Sequence, residues 1–208
     1  MGLIKFDSMD EVKRFYSSLG ANNTIGAGAE GTCFLANDNY VYKVFDGLDD
    51  RELNPYDIKT ASDIESDYII FPDDIYVVDD KLVGYKTRYV PNDVFLDPRI
   101  LYELEGNEHL VIRAFYKMVE EIKRLANKKM FMYELGGNLL FDGRNFYAID
   151  TCEYQYLPNA SEEEIVALNV DMLIYALEMQ FMLEENELMS AFLEKMKKQY
   201  VKNNTMNL

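Results

Sequence analysis

The sequence predicts an α+β protein of two lobes, a sheet-rich part over residues 1–91 and a mainly helical part over 92–208. Three observations carry that expectation. Short runs of β-forming residues broken by glycine, Asn or Asp turns fill the first part. Stretches with apolar residues every three or four positions fill the second. Pro91 follows the last strand-like run and marks the change, because proline ends a strand and restricts the residue before it. At 208 residues, with 49% hydrophobic residues including 12 Phe and 16 Tyr, the chain can bury two such cores.

The elements follow in order. Residues 7–19 predict a short helix: Ser8 stands three before Glu11 as in a capping box, and Val12, Phe15 and Leu19 share one face. Residues 25–32 read IGAGAEGT, a strand entering a glycine turn. Strands over 33–36 and 40–45 then flank the turn Asn37-Asp38-Asn39. An acidic loop covers 46–50, and 52–63 predicts a weakly periodic short helix interrupted early by Pro55. Residues 64–72 lead to a second hairpin, IYVVDDKLVGYKTRYV, with its turn at Asp79-Asp80.

In the second lobe, 108–127 is the most regular helix. Leu110, Val111, Ala114, Phe115, Met118, Ile122 and Leu125 form its apolar stripe, with Glu120, Glu121, Lys123 and Arg124 outward. Residues 138–141 and 146–149 predict a hairpin, since Asp142-Gly143 lies between alternating apolar runs. Ser161 and Glu164 make a second capping box ahead of an almost unbroken apolar helix over 165–183. A last helix over 187–200 is expected to turn Leu188, Ala191, Phe192 and Met196 inward, with its basic end at the C-terminus.

The formal charge of −16 argues against nucleic acid or an anionic membrane as partner, because both would be repelled over most of the surface. The first residues lack the apolar core of a signal peptide, and no stretch approaches the roughly 18 apolar residues of a membrane span, so a cytoplasmic protein is expected. Cys33 and Cys152, with a single histidine in the chain, make neither a disulfide framework nor a zinc site. His109 reads as a cap or surface residue.

Three local patterns point to chemistry. Gly26, Gly28 and Gly31 form a G-x-G-x-x-G run, whose backbone N–H groups can approach phosphate closely. The next residues, TCFLANDNYVYKVF, are β-rich where a Rossmann unit would open a helix, so the run belongs to a hairpin. Lys43 stands in the following strand on an apolar face shared with Val41 and Phe45, where a charge requires a partner. Asn138 and Asp150 stand at the base of the later hairpin, which brings two oxygen-bearing side chains together, a donor pair suited to Mg²⁺ with nucleotide phosphates.

The order of glycine hairpin, strand lysine, short helix, second hairpin, linker, long helix and Asn/Asp hairpin resembles the protein-kinase-like fold, in both its protein kinase and its aminoglycoside or choline kinase branches. The resemblance implies an antiparallel-sheet N-lobe, a truncated helical C-lobe, and ATP with Mg²⁺ as cofactors. It implies that Gly26, Gly28 and Gly31 cover the phosphates, that Lys43 contacts the α- and β-phosphates, and that Val90 and the two residues after it lie beside the adenine. Within GGNLLFDGRNFYAIDTCEY it implies Asn138 and Asp150 as metal ligands. The glutamate pairing with Lys43 is Glu52 or Glu65; Glu52 is favoured because it falls inside the expected helix.

Three departures bear on catalysis. The position of the usual catalytic aspartate is Tyr133, leaving the adjacent Glu134 as the candidate base. Thr151 and Cys152 follow Asp150 where protein kinases place Phe and Gly. No A-P-E segment follows, which argues against a conventional peptide-directed kinase. The expected function is therefore an Mg-dependent phosphotransferase of unassigned acceptor, small molecule or protein, or else a catalytically inactive pseudokinase that binds or regulates. A third alternative is an acidic interaction protein whose glycines are only turns.

Overall fold

A computed structural model describes residues 2–19, 23–28, 31–46, 65–90, 106–181 and 186–201. Glu52, the expected helix over 52–63 and the expected turn over 101–104 lie outside the described residues. The chain divides into two compact units, one of Met1–Glu65 with Ile70–Pro91 and one of Ser66–Ile69 with Asn92–Leu208. Among the described residues the architecture is α+β, with a six-stranded, mostly antiparallel sheet, two two-stranded sheets and four α-helices.

In the first unit β1 (Gly2–Phe6), α1 (Met9–Ser18), β2 (Asn23–Ala27), β3 (Gly31–Leu35), β4 (Tyr40–Phe45), β5 (Asp74–Val78) and β6 (Lys81–Arg88) follow in sequence. The sheet order is β1-β5-β6-β4-β3-β2, so β4 and β6 are internal and β1 and β2 are edges. β1 is an element that the sequence reading did not contain. It pairs parallel with β5, from Gly2↔Asp74 to Phe6↔Val78, while every other neighbouring pair is antiparallel. The β5–β6 turn has both Asp79 and Asp80 left-handed, at φ 52 and 60, the twist that a two-residue hairpin needs.

α1 begins where its capping residues demand. The Ser8 hydroxyl accepts from the Glu11 N–H at 3.3 Å, and the Glu11 carboxylate accepts from the Asp7 N–H at 2.8 Å. Its Val12 and Tyr16 pack with Ala36, Tyr42, Tyr76, Val78 and Val83, and Phe6 and Phe15 close the edge of this core. The rings of Tyr42 and Tyr76 stack at 6.4 Å, and each large buried side chain here contributes about 2 kcal/mol. The Tyr16 hydroxyl crosses to the sheet and donates to the Lys43 carbonyl at 3.1 Å. Gly84 makes that reach possible, since a Cβ there would lie 2.2 Å from the hydroxyl and 2.4 Å from the carbonyl oxygen.

The second unit contains α2 (Glu108–Asn127), β7 (Met130–Phe131), β8 (Leu139–Phe141), β9 (Phe146–Ala148), a 3₁₀ turn at Thr151–Glu153, β10 (Gln155–Tyr156), α3 (Glu162–Phe181) and α4 (Glu187–Tyr200). β7 pairs with β10 and β8 with β9, both antiparallel. α2 stops where Lys129 turns left-handed at φ 62. The second capping box forms in full: the Ser161 hydroxyl accepts from the Glu164 N–H at 3.2 Å, and the Glu164 carboxylate accepts from the Ser161 N–H at 2.7 Å.

Two expected faces need correction. Glu121, expected outward, is 5% exposed; one carboxylate oxygen pairs with Arg124 at 3.0 Å and the other has no hydrogen-bond partner among the described residues. The apolar face of α2 is wider than its central stripe, and also buries Val119 and Ala126. In α4 the buried stripe is Met189, Leu193 and Met196, while Leu188 is 54% exposed and Ala191 is exposed. Met196 is buried as expected, while earlier in the helix packing takes Met189 and Leu193, each one residue after the expected Leu188 and Phe192. Phe192 is half-buried and meets Phe115 of α2 edge-on at 5.2 Å.

Candidate functional site

The β8–β9 hairpin is built from its side chains upward. Leu139, Phe141, Phe146 and Ala148 are buried on one face, with Phe141 and Phe146 in ring contact at 4.9 Å. The register Phe141↔Phe146 leaves the four-residue loop 142–145 between the two expected strands. Asp142 closes that loop, because its carboxylate accepts from the N–H groups of Arg144 at 2.8 Å and Asn145 at 2.7 Å, and from the Tyr147 hydroxyl at 2.9 Å. Partial burial pushes the Asp142 carboxyl up, and these donors outweigh it, leaving the group below the usual carboxylate range. Lys117 of α2 donates to the Asn145 side chain.

On the other side of β9 lies Ser66–Ile69, folded by the Ser66 hydroxyl, which accepts from the Tyr68 and Ile69 N–H groups at 3.1 and 2.9 Å. The Ala148 N–H donates to the Tyr68 carbonyl at 2.8 Å, and Ile69 forms a parallel bridge with Ala148. The arm leading to Asp150 is therefore held from both edges.

At the base of the hairpin the Ile149 N–H donates to the Asn138 carbonyl at 2.9 Å, so the chain positions of Asn138 and Asp150 are adjoining. The Asn138 side-chain amide donates to the Glu134 carbonyl at 3.0 Å and its N–H to the Leu135 carbonyl at 3.0 Å, closing the loop 134–138 on itself. With the amide nitrogen engaged inside the loop, Oδ1 is the donor atom that Asn138 offers a cation. Glu134, the expected base, is exposed and left-handed at φ 55. Tyr133 beside it is 40% exposed, with its ring 6.1 Å from that of Phe131.

Asp150 is half-buried and left-handed at φ 54, at the N-terminus of the 3₁₀ turn. Outside glycine and a few Asn or Asp positions that conformation is rare, and it persists only where the surroundings over-determine it. Beneath it, Tyr154 is 4% exposed; burial first, and the nearby Asp150 carboxylate second, push its hydroxyl far up.

Helix α3 supports the loop from below through a residue that sequence reasoning missed. Asn169 is fully buried; its carbonyl oxygen accepts from the Met132 N–H at 2.7 Å and its amide donates to the Met130 carbonyl at 3.0 Å. The signal was a lone amide inside an almost unbroken apolar run, since such a group is retained only where its hydrogen bonds are met.

In the first unit, Lys43 is 5% exposed and its ammonium lies 5.1 Å from the Phe45 ring centre and 5.9 Å from that of Tyr85. It stands opposite Cys33 on β3 and Tyr85 on β6. Gly26 and Gly28 have open space where a Cβ would be, whereas at Gly31 a Cβ would fall 2.0 Å from the Val44 carbonyl oxygen. Packing against β4 therefore requires glycine at Gly31. Neither packing nor a left-handed backbone requires it at Gly26 or Gly28. Val90 follows β6 and is half-buried, and Glu65 is exposed.

Among the described residues no three His, Cys, Asp or Glu side chains cluster as a metal site, and no helix is long and apolar enough to cross a membrane. Asn138 and Asp150 still fit Mg²⁺, which is commonly held by one or two protein oxygens with phosphate and water completing the shell. A shallow depression on the outer face of α2, lined by His109, Ile112, Arg113, Tyr116, Lys117 and Glu120, does not include them. No protein-family model matches the chain and no curated protein matches it.

Proposed function

We propose that the chain is a kinase-like, two-lobed nucleotide-binding protein that uses ATP with Mg²⁺. The observation that carries the reading is Asp150: a left-handed carboxylate at the end of a strand braced on both edges, adjoining Asn138, whose side chain is oriented by its own loop. Aspartate is among the non-glycine residues that adopt this backbone most readily, and here it stands at the junction of β9 and the 3₁₀ turn. The second unit thus offers Asn138 and Asp150 as metal ligands and Glu134 as the carboxylate to take a proton from an acceptor hydroxyl. A bound divalent cation would supply positive charge to phosphate oxygens.

The first unit offers Lys43 as the phosphate cation and Gly26 and Gly28 as backbone open to phosphate. Glycines that the fold itself does not need are explained by a ligand approaching the backbone. Tyr133 supports a second reading, a pseudokinase that binds nucleotide without transfer, because the position before Glu134 carries no carboxylate.

Calorimetric titration with Mg-ATP tests binding, and release or transfer of labelled γ-phosphate separates the two readings. Asp150→Ala is expected to weaken Mg-ATP binding and, for an active enzyme, to lower turnover by about 10³-fold or more. Unaltered binding and turnover in that variant would overturn the assignment. Binding in the wild type without transfer selects the pseudokinase.

A further inference from the structure

We infer that Tyr175 of α3 is a positioning residue for the loop that presents Glu134 and Asn138; the inference rests on the nucleotide-binding reading of that loop. Tyr175 is 51% exposed, and a large aromatic side chain so open on a helix ordinarily has no structural task. Its ring nevertheless lies against the loop: a Cβ on Gly136 would stand 3.3 Å from Cε1 and 3.7 Å from Cδ1.

The two glycines of the loop differ in what they do. Gly137 has φ 83 and needs glycine for its backbone. Gly136 has no left-handed φ, and among the described residues beyond its chain neighbours only Tyr175 comes within 4 Å of its Cβ position. A side chain there would press on the tyrosine ring, which would have to give by a few tenths of an ångström.

Within the loop Leu135 is fully buried, and the residues on either side of it face out. Tyr133, Glu134, Gly136 and Gly137 are exposed, and two hydrogen bonds from Asn138, to Leu135 and Glu134, close it. Two consecutive glycines make this the most permissive stretch of backbone beside the proposed ligands. Asn169 pins Met132 at the start of the loop, and Tyr175, on the same helix, covers its middle. A tyrosine suits a half-exposed brace, because its ring is apolar and its hydroxyl can be hydrated. Without the ring, the two glycines gain freedom, and the Asn138 oxygen and Glu134 carboxylate lose their fixed direction.

The test compares Tyr175→Ala and Tyr175→Phe with the wild-type full chain, with Mn²⁺ as a paramagnetic probe of the Asn138 and Asp150 donors. Three readouts are taken: Mn²⁺ affinity by electron paramagnetic resonance, amide hydrogen exchange over 135–138, and the thermal midpoint. Tyr175→Ala is expected to weaken Mn²⁺ binding about tenfold, as loss of an outer-shell support does, and to speed exchange of the Asn138 N–H. The midpoint is expected to move little, and Tyr175→Phe to restore both local readouts. Wild-type Mn²⁺ affinity and wild-type exchange in Tyr175→Ala overturn the inference, as does a loss that merely tracks global unfolding. Should the wild type bind neither Mn²⁺ nor Mg-ATP, the nucleotide reading fails, and the exchange arm alone then decides whether Tyr175 braces the loop.

Discussion

The β2–β3 and β8–β9 hairpins are both short antiparallel pairs marked by glycine in the sequence, and the structure holds them in opposite ways. β2 is an edge strand, and residues 24–28 are exposed throughout. Among the described residues β3 is the strand that pairs with it. The β8–β9 pair buries Leu139, Phe141, Phe146 and Ala148, donates a backbone bond from Ala148 to the Tyr68 carbonyl, and is tied at its loop by Asp142 and by Lys117 of α2. Position is thus specified in the second hairpin and left open in the first. A loop that closes over phosphate gains from freedom, while residues that must hold a cation gain from having none.

The largest expected effect breaks the brace under the second region. Asn169→Ala removes a fully buried amide and leaves its two partners, the Met132 N–H and the Met130 carbonyl, unmet, at a cost of about 3 kcal/mol. Urea unfolding measures it. Thr24→Ala on the exposed edge strand is expected to cost less than about 0.5 kcal/mol. Equal costs at the two positions would dissolve the contrast between the hairpins.

A somewhat smaller effect divides the glycine hairpin within itself. Gly31→Ala drives a methyl into the Val44 carbonyl, which is backbone and cannot rotate away, and is expected to cost about 2–3 kcal/mol. Gly26→Ala and Gly28→Ala enter open space and are expected to change stability by less than about 0.5 kcal/mol. On the proposed function, those two stable variants are the ones that weaken ATP binding. If all three glycines respond alike in unfolding, the distinction between a packing glycine and a ligand glycine falls.

What the sequence made legible follows the same division between local and distant causes. The hairpin base was readable because β8 and β9 are neighbours in the chain and their pairing alone brings Asn138 to the end that leads into Asp150. The Ser161–Glu164 box and the 108–127 helix were readable for the same reason: their signals lie within one or two turns. β1 was not, because GLIKF becomes a strand only through parallel pairing with β5, far along the chain. Glu121 and Leu188 were misplaced because periodicity gives a face but not its centre, and the partner helices decide that. Asn169 was visible as an oddity, but its partners on β7 and just beyond are tertiary.

The smallest expected effect sharpens the comparison through pH. Asp142 holds its carboxyl below the ordinary range: partial burial works against this, and the N–H groups of Asn145 and Arg144 and the Tyr147 hydroxyl prevail. A carboxyl depressed on folding stabilises fully above its unfolded value of about 3.9 and ceases to do so as pH falls through the lower folded value. Asp142→Asn is therefore expected to be less stable than the wild type at pH 7 by about 0.5–1 kcal/mol, a modest figure because the carboxylate is partly in water. The gap should close as the pH is lowered below about 4, and amide exchange at Arg144 and Asn145 should report it locally. Exchange in the exposed β2 strand should not follow the same curve, since none of the donors to Asp142 belongs to it. A gap that persists unchanged to low pH would show that the loop is held by shape and not by the carboxylate, and would remove the electrostatic part of the brace.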